Sequence, residues 1–473
     1  MSKPSVSLSS VAWACGLLSC ALLSGCASRS GPVDAGLTVP ALWQSSAGMD
    51  GTQAHSTAIA DAADPARPLR AWWDALQDPV LAQWIQTAFT QNLNLAQAAL
   101  KVQRAQLSAG QAASNQWPAV SVQANASAAR PLDGSKLTRN HSVTGAASWE
   151  LDLWGRVAAL RDVADWEVQA TTLDRRAVAL SLSATVANLY WQIAYLNQRV
   201  AASEQSIAYA QRTLDLVQAQ YRAGDASGLE VAQSTQNLAT QRAAHTQWEQ
   251  QRTQARHALA ILVNQPPGAV SGMPEALTLL EGTLPQVEAG LPASLLTQRP
   301  DLKAAQLRLN KSAASVQAVR ASYYPNLTLT GSLGGASSEL SQVLSNPVAT
   351  LGAGLVLPFV QWRDMDRAVQ ISKTDLDVAV LAYRQTWYQA LADVENALSS
   401  RVQFDRQGEH LEMAMAAAKD AERLAEARYR AGAVALKTWL DAQEARRQAE
   451  NNLALNRLNR LNAWATLQQA LGG

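Results

Sequence analysis

The chain has 473 residues with 39 basic and 38 acidic side chains, a formal charge of +1, and that balance excludes nucleic-acid or other polyanion binding driven by bulk charge. Charged residues make up 16% and aromatics 6%, so much of the polar surface is uncharged amide and hydroxyl, which suits a long helical protein with wide contact to water. All three cysteines, Cys15, Cys20 and Cys26, fall within the first 26 residues, which excludes a disulfide framework or a cysteine-based metal or redox site in the body.

In chain order, Lys3 precedes an apolar run from Val11 to Gly25. Fifteen residues are too few to span a bilayer, and the layout is that of a secretory signal peptide over residues 1–25. The junction Leu23-Ser24-Gly25-Cys26 resembles the bacterial lipobox, which makes Cys26 the expected first mature residue and the site of a covalent lipid; an ordinary cleaved signal is the alternative. Ala27 rather than Asp follows, which in lipoproteins of that kind favours the outer membrane. Residues 26–70, rich in Ser, Ala, Gly, Pro and Asp, read as an extended tether. Beyond the leader, no segment reads as apolar enough for a transmembrane helix.

Helical periodicity begins near Ala71, with Trp73, Leu76, Leu81, Trp84 and Ile85 on one face. From there the chain can be laid on itself. A shift of 207 places Asn94–Pro118 on Asp301–Pro325 and Arg156 on Arg363, and a shift of 208 places Tyr221-Arg222-Ala223-Gly224 on Tyr429-Arg430-Ala431-Gly432. Two copies of one unit are implied, at residues 71–263 and 293–473, with a Pro/Gly-rich connector at 264–292.

Each unit has the same predicted plan. After Pro118 the residues Val120, Val122, Ala124 and Ala126 alternate with Ser121, Gln123, Asn125 and Ser127, and a second alternating run covers Val143 to Leu153. A period of two means strands, so one hairpin is expected at about 119–153 and its counterpart at about 326–360. About 67 helix-forming residues without proline follow each hairpin, a helix on the order of 100 Å long, and a return helix follows each repeated YRAG. Gly224 and Gly432 stand where a left-handed helix C-cap belongs, marking tip turns near 224 and 432.

Only helices and closed barrels satisfy every backbone polar group in lipid. Four strands of about ten residues match a barrel wall, yet the smallest closed barrels need about eight. The strands must be pooled among chains, in a dimer or a trimer, and long helices with apolar stripes favour the larger number packed as a hollow cylinder. A fibrous coiled-coil lipoprotein with surface hairpins is the alternative.

At this point "WWDALQDPVL", "QRPDLKAAQLRL", "ASYYPNLTLTGSLG", "WELDLWGRV", "RYRAG" and "WLDAQ", in order over Trp72 to Leu471, together resemble the TolC-like outer-membrane factor family, in particular its lipoprotein branch of OprM or NodT type. The resemblance implies a homotrimer in which four strands per chain build a twelve-stranded outer-membrane β-barrel, with the long helices forming a periplasmic α-barrel. It implies an exit duct of a tripartite efflux pump, lipid-anchored in the outer membrane and extending into the periplasm. A periplasmic adaptor protein and an inner-membrane transporter of RND type would be its partners. Metal-ion efflux or type I protein secretion through the same architecture is the runner-up.

The same resemblance assigns the two YRAG turns, with Arg222, Gly224, Arg430 and Gly432, to adaptor docking, while the arginines' other role is to complete their own helix ends. Asp441 matches the acidic residue lining the tip constriction, where three copies of a carboxylate would favour cations; its other reading is a solvated partner of Lys437 or Arg446. A second acidic ring of some relatives falls on Thr438, and the equivalent place in the first repeat is Glu230, which also completes the capping box Ser227-Gly228-Leu229-Glu230. Trp149 and Trp154 are candidates for a membrane-interface aromatic, whereas Trp72, Trp73, Trp84, Trp191 and Trp387 read as core. His55, His141, His245, His257 and His410 are scattered without ligand or triad spacing, and "GSLGG" (Gly331 to Gly335) opens no helix, so neither an enzyme nor a metal or other cofactor site is expected.

Overall fold

The computed structural model describes residues 40, 43, 71–132, 136–268, 277–279, 284–285 and 298–473. The signal peptide, Cys26, nearly all of the tether and most of the connector lie outside the described residues. Among the described residues the chain is mostly helical with four strands, and it divides into two compact units, one of which gathers Gln103–Gln169 with Gln306–Tyr383 and the other Ala170–Ala305 with Arg384–Gly473 and the helical start.

The described elements run α1 (Pro79–Gln91), α2 (Leu93–Ser114), β1 (Ala119–Ala129), β2 (Thr138–Leu151), α3 (Arg156–Ala223) and α4 (Gly228–Leu262). They continue with α5 (Pro300–Ala321), β3 (Asn326–Ser337), β4 (Val348–Val356), α6 (Trp362–Arg430) and α7 (Leu436–Leu471). From α2 onward the series of helix, hairpin, long helix and return helix is traversed twice, the long helices having 68 and 69 residues and the return helices 35 and 36.

In the strand unit the four strands form one antiparallel sheet in the order β1-β2-β3-β4. Register pairs Val122 with Gly145, Val143 with Gly335, Trp149 with Leu329 and Leu329 with Ala353. Directly opposed residues share a face. One face therefore carries Val120, Val122, Val143, Leu329, Leu333, Leu351 and Leu355, and the other Gln123, Asn125, Ser142, Thr144, Thr328, Thr330 and Ser332. Leu351 and Val122 on the apolar face are 92% and 77% exposed. Both hairpin loops lie at one end of the sheet and all four helix-attached strand ends at the other, as the register requires.

The paired strands run Ala119–Ala129 with Thr138–Leu151 and Asn326–Ser337 with Val348–Val356, and two strand ends differ from the alternation. Asp152 leaves the strand because its carboxylate accepts from the N–H groups of Val157 and Ala158, at 3.0 and 2.8 Å, and so starts α3. Strand β4 ends at Val356 rather than near 360, since Pro358 has no N–H for the ladder and opens a 3-10 turn, Pro358–Gln361. Trp154 and Trp149 bind main chain at this helix-attached end: Trp149 Nε1 donates to the Gln116 carbonyl at 3.0 Å, and Trp154 Nε1 to that of Pro325 at 2.8 Å.

The helical unit holds the main core. Trp72, Trp73, Trp84, Trp191 and Trp464 pack with Leu81, Ile85, Tyr190 and Leu196, Trp72 meeting Trp464 edge-on at 5.4 Å and donating to Ser183 Oγ at 3.1 Å. By length and composition α3 does qualify as a membrane-crossing helix, contrary to the expectation from sequence, but 56% of its apolar stretch is buried inside the protein. Its Val186, Tyr190, Trp191 and Ile193 belong to this core, so its apolarity is explained by packing. Parallel closures join helix ends. Asn92 Nδ2 donates to the carbonyl of Leu262 at 2.9 Å, and Arg299, 207 residues on, donates to that of Ala470 at 3.1 Å.

Candidate functional site

The two repeated turns lie within the helical unit, at the α3–α4 and α6–α7 junctions. Both reverse the chain by the same backbone device. Gly224 has φ +87° and Gly432 φ +70°, a left-handed conformation that glycine adopts without the Cβ clash of other residues. Gly224 N donates to Tyr221 O and Asp225 N to Gln220 O; Gly432 N donates to Tyr429 O and Ala433 N to Arg428 O. This pairing satisfies otherwise orphaned helix-end carbonyls twice over.

The helices that leave these turns start differently. Ser227 and Glu230 form the expected capping box, with Ser227 N donating to Glu230 Oε2 at 2.7 Å and Glu230 N to Ser227 Oγ at 3.4 Å. Helix α7 has Ala435 at the same position and no side-chain cap. In its place stands a small apolar cluster of Val217, Tyr429, Leu436 and Trp439. Trp439, 2% exposed, stacks on Tyr429 at 5.2 Å and meets Tyr209 edge-on at 6.2 Å.

Tyr429 Oη donates to Gln220 Oε1 at 2.9 Å, which joins the second turn to the residue preceding the first. Burial raises the Tyr429 phenol pKa, with the charge of Glu230 adding to it, and burial followed by Glu426 and Glu422 does the same for Tyr209. Tyr221, the first-turn counterpart of Tyr429, is 54% exposed.

Asp441 gives both carboxylate oxygens to Lys437 Nζ, at 3.0 and 2.9 Å, and the pair stands in solvent with Thr438 exposed beside it. Arg446, the other sequence candidate for Asp441, instead ion-pairs with Glu422 of α6 and with Glu450 at 3.0 Å. Arg222 Nε donates to the Gln218 carbonyl at 3.3 Å, completing its own helix end, while Arg430 pairs with Glu426 at 2.6 Å. The structure thus brings the two turns together through Tyr429, but it pairs Asp441 and Glu230 with neighbours on their own helices.

Sequence reading missed Trp439 and Leu436. Their signal was present: Leu436, Trp439 and Leu440 recur at helical spacing where the first repeat has Gly228, Val231 and Ala232. It also missed a polar relay in which Ser203 Oγ lies 2.7 Å from His245 Nδ1 and His245 Nε2 3.7 Å from Glu249. That contact links α3 to α4, with Ser203 Oγ donating to the Val200 carbonyl at 2.7 Å.

The sheet thus carries an apolar face on which Val120, Val122, Leu333, Leu351 and Leu355 are exposed, and the two helix hairpins reverse at turns of the same backbone geometry. Residues 84–265 and 291–473 match the Outer membrane efflux protein family, and the chain belongs to that family. It is 34% identical over 453 residues, 93% of each chain, to the pyoverdine export outer membrane protein OpmQ of Pseudomonas putida. To the antibiotic efflux pump outer membrane protein ArpC of Pseudomonas putida it is 30% identical over 429 residues, 87% of this chain and 86% of that one. Among solved structures, the outer-membrane channel OprN superposes with a TM-score of 0.81 at 23% identity, over 94% of this chain and 98% of that one, which speaks for the fold alone. The protein is therefore an outer-membrane efflux channel component.

Proposed function

We propose that three copies of this chain form the exit duct of a tripartite efflux pump. Pooling three four-stranded sheets closes a twelve-stranded barrel, each β1 edge pairing with a neighbour's β4, and the duplicated long helices form a periplasmic α-barrel. The observation that carries this reading is the sheet itself: two free edges, an apolar face for lipid and a Thr/Ser/Asn/Gln face for a water-filled lumen. Residues 1–25 are the signal peptide, Cys26 carries the lipid anchor and residues 26–70 are the tether. Domain limits at 71–263, 264–292 and 293–473 follow the internal repeat.

At the tip, Arg222, Gly224, Arg430 and Gly432 dock a periplasmic adaptor that links the duct to an RND-type inner-membrane transporter. Asp441 supplies the charged constriction, flanked by Thr438, and Glu230 serves as the first-repeat cap rather than as a second ring. The cargo is small molecules. The relative whose name says antibiotic efflux supports drugs, and the 34% identity to a pyoverdine exporter favours pyoverdine-type compounds as a second cargo class.

Planar-bilayer recording of the purified protein tests the duct directly. Stepwise conductance, together with disulfide capture between cysteines placed on β1 and β4 of different copies, is expected; no conductance in any tip variant overturns it. Resistance to hydrophobic drugs and pyoverdine export in a deletion strain then separate the cargo classes, and palmitate labelling lost in Cys26→Ser tests the anchor.

A further inference from the structure

The "GSLGG" stretch is absorbed neither by the turns nor by the strand ladder alone. Gly335 is buried on the apolar face of β3, opposite Val143. A Cβ added there would overlap the Val343 carbonyl oxygen and lie 3.5 Å from that of Asn346. The β3–β4 loop therefore does not stand off the sheet end: it folds down onto the apolar face, and only glycine leaves room for it.

Val343 is 4% exposed, while Leu340 and Leu344 are 72% and 74% exposed. Leu340 opens a short 3-10 turn, Leu340–Gln342, and Leu344 follows it, so the two bare leucines flank the buried Val343. Within the loop, Gln342 N donates to Glu339 O, Val343 N to Leu340 O, Ser345 N to Gln342 O, and Glu339 N to Ser337 Oγ. Irregular backbone does not stand exposed in the hydrocarbon region, so a loop of this kind meets lipid at the level of the headgroups.

We propose that this loop is a lipid-seated hook, in which Leu340 and Leu344 enter the acyl-headgroup boundary of the outer leaflet while Val343 clamps the loop on Gly335. The occupant is lipid because the loop continues the face that already carries Leu333 and Leu351 and adds two more bare leucines to it. This rests on the reading of that face as lipid-facing. At the boundary rather than deeper, the loop fixes the height at which the barrel sits in the membrane.

The test uses nitroxide labels at Leu344→Cys, Leu351→Cys and Thr350→Cys in the full chain with Cys15, Cys20 and Cys26 changed to Ser, reconstituted in phosphatidylcholine nanodiscs. Collision with oxygen, which concentrates in lipid, is compared with collision with a water-soluble nickel chelate. The label at 344 is expected to follow 351, oxygen-accessible and nickel-shielded, and Gly335→Val is expected to abolish that shielding, bringing its oxygen-to-nickel ratio down towards that of the label at 350 on the polar face. Val343→Asp, which leaves the sheet untouched, is expected to do the same.

A nickel-accessible label at 344 beside a shielded one at 351 overturns the hook alone. A nickel-accessible 351 overturns the lipid-facing reading and the hook with it, and a 344 label unmoved by both substitutions overturns the glycine clamp.

Discussion

The α3–α4 and α6–α7 turns share four residues and one backbone geometry, yet they stabilise the helix that follows by different physics. The first uses polar closure, Ser227 and Glu230 satisfying each other's orphan N–H groups. The second leaves its helix start uncapped and buries Trp439 and Leu436 against Tyr429 and Val217. A polar cap is local and leaves Tyr221 in solvent; an apolar cluster draws elements from α3, α6 and α7 together. Only the second turn is thus built to transmit a change at the tip from one hairpin to the other.

Removing the cluster's largest member is the sharpest way to break this contrast. Trp439→Ala deletes a 2%-exposed indole and is expected to cost about 3–5 kcal/mol of local stability. Amide hydrogen exchange should accelerate at the α6–α7 turn and, through Tyr429 and Gln220, more weakly at the α3–α4 turn. Unchanged exchange at 429–440 would sink the cluster.

The same residues set an alkaline limit. The Tyr429 and Tyr209 pKa values are raised by folding, so their share of stability is complete below the unfolded phenol pKa of about 10 and is lost as pH rises through the folded values. Loosening of the tip above about pH 10, reduced in Tyr429→Phe, is the expected exchange profile.

Where the turns are alike, substitutions should act alike. Nothing stands within 4 Å of a Cβ added at Gly224 or Gly432, so alanine at either meets backbone strain alone, about 1–2 kcal/mol. Equal losses at both turns, read by exchange or by limited proteolysis, are expected; a loss at only one would show that the shared backbone does not do the same work twice. Where they differ, Ser227→Ala should cost the first turn about 1 kcal/mol, and Ala435→Ser, by adding a side-chain acceptor, should gain the second up to about as much.

These differences explain how far the sequence could be read. Alternation of Val120 to Ser127, the glycines at 224 and 432 and the Ser227–Glu230 spacing are local signals, and strands, turns and cap follow from them nearly residue for residue. What escaped depends on distant packing. Which of two identical tyrosines is buried is decided by Trp439 across the turn, and the partner of Arg446 by Glu422 on another helix. That α3 passes as membrane-crossing by length and composition also went unread, and its apolar residues, Trp191 among them, pack with Trp72 and Trp464 from distant parts of the chain. Likewise the fold-back of the Val343 carbonyl over Gly335 has no signature in the loop itself, only that one glycine in β3.

The smallest effect on stability separates the two carboxylates most cleanly. Asp441 and Lys437 are 64% and 67% exposed, with the lysine on the N-terminal side, the weaker order for a pair spaced by four. Such a pair contributes at most about 0.5 kcal/mol, so Asp441→Asn should leave exchange and melting nearly unchanged. A constriction role predicts instead that the variant loses cation preference in single-channel recordings, because a symmetric ring of carboxylates is the cheapest source of that preference. Glu230→Gln should show the reverse pattern, a weaker cap with unaltered selectivity, since its carboxylate already accepts from Ser227. If Asp441→Asn left selectivity intact while Glu230→Gln changed it, the ring would belong to the first turn, and the aromatic cluster of the second would be a support for it rather than the seat of the gate.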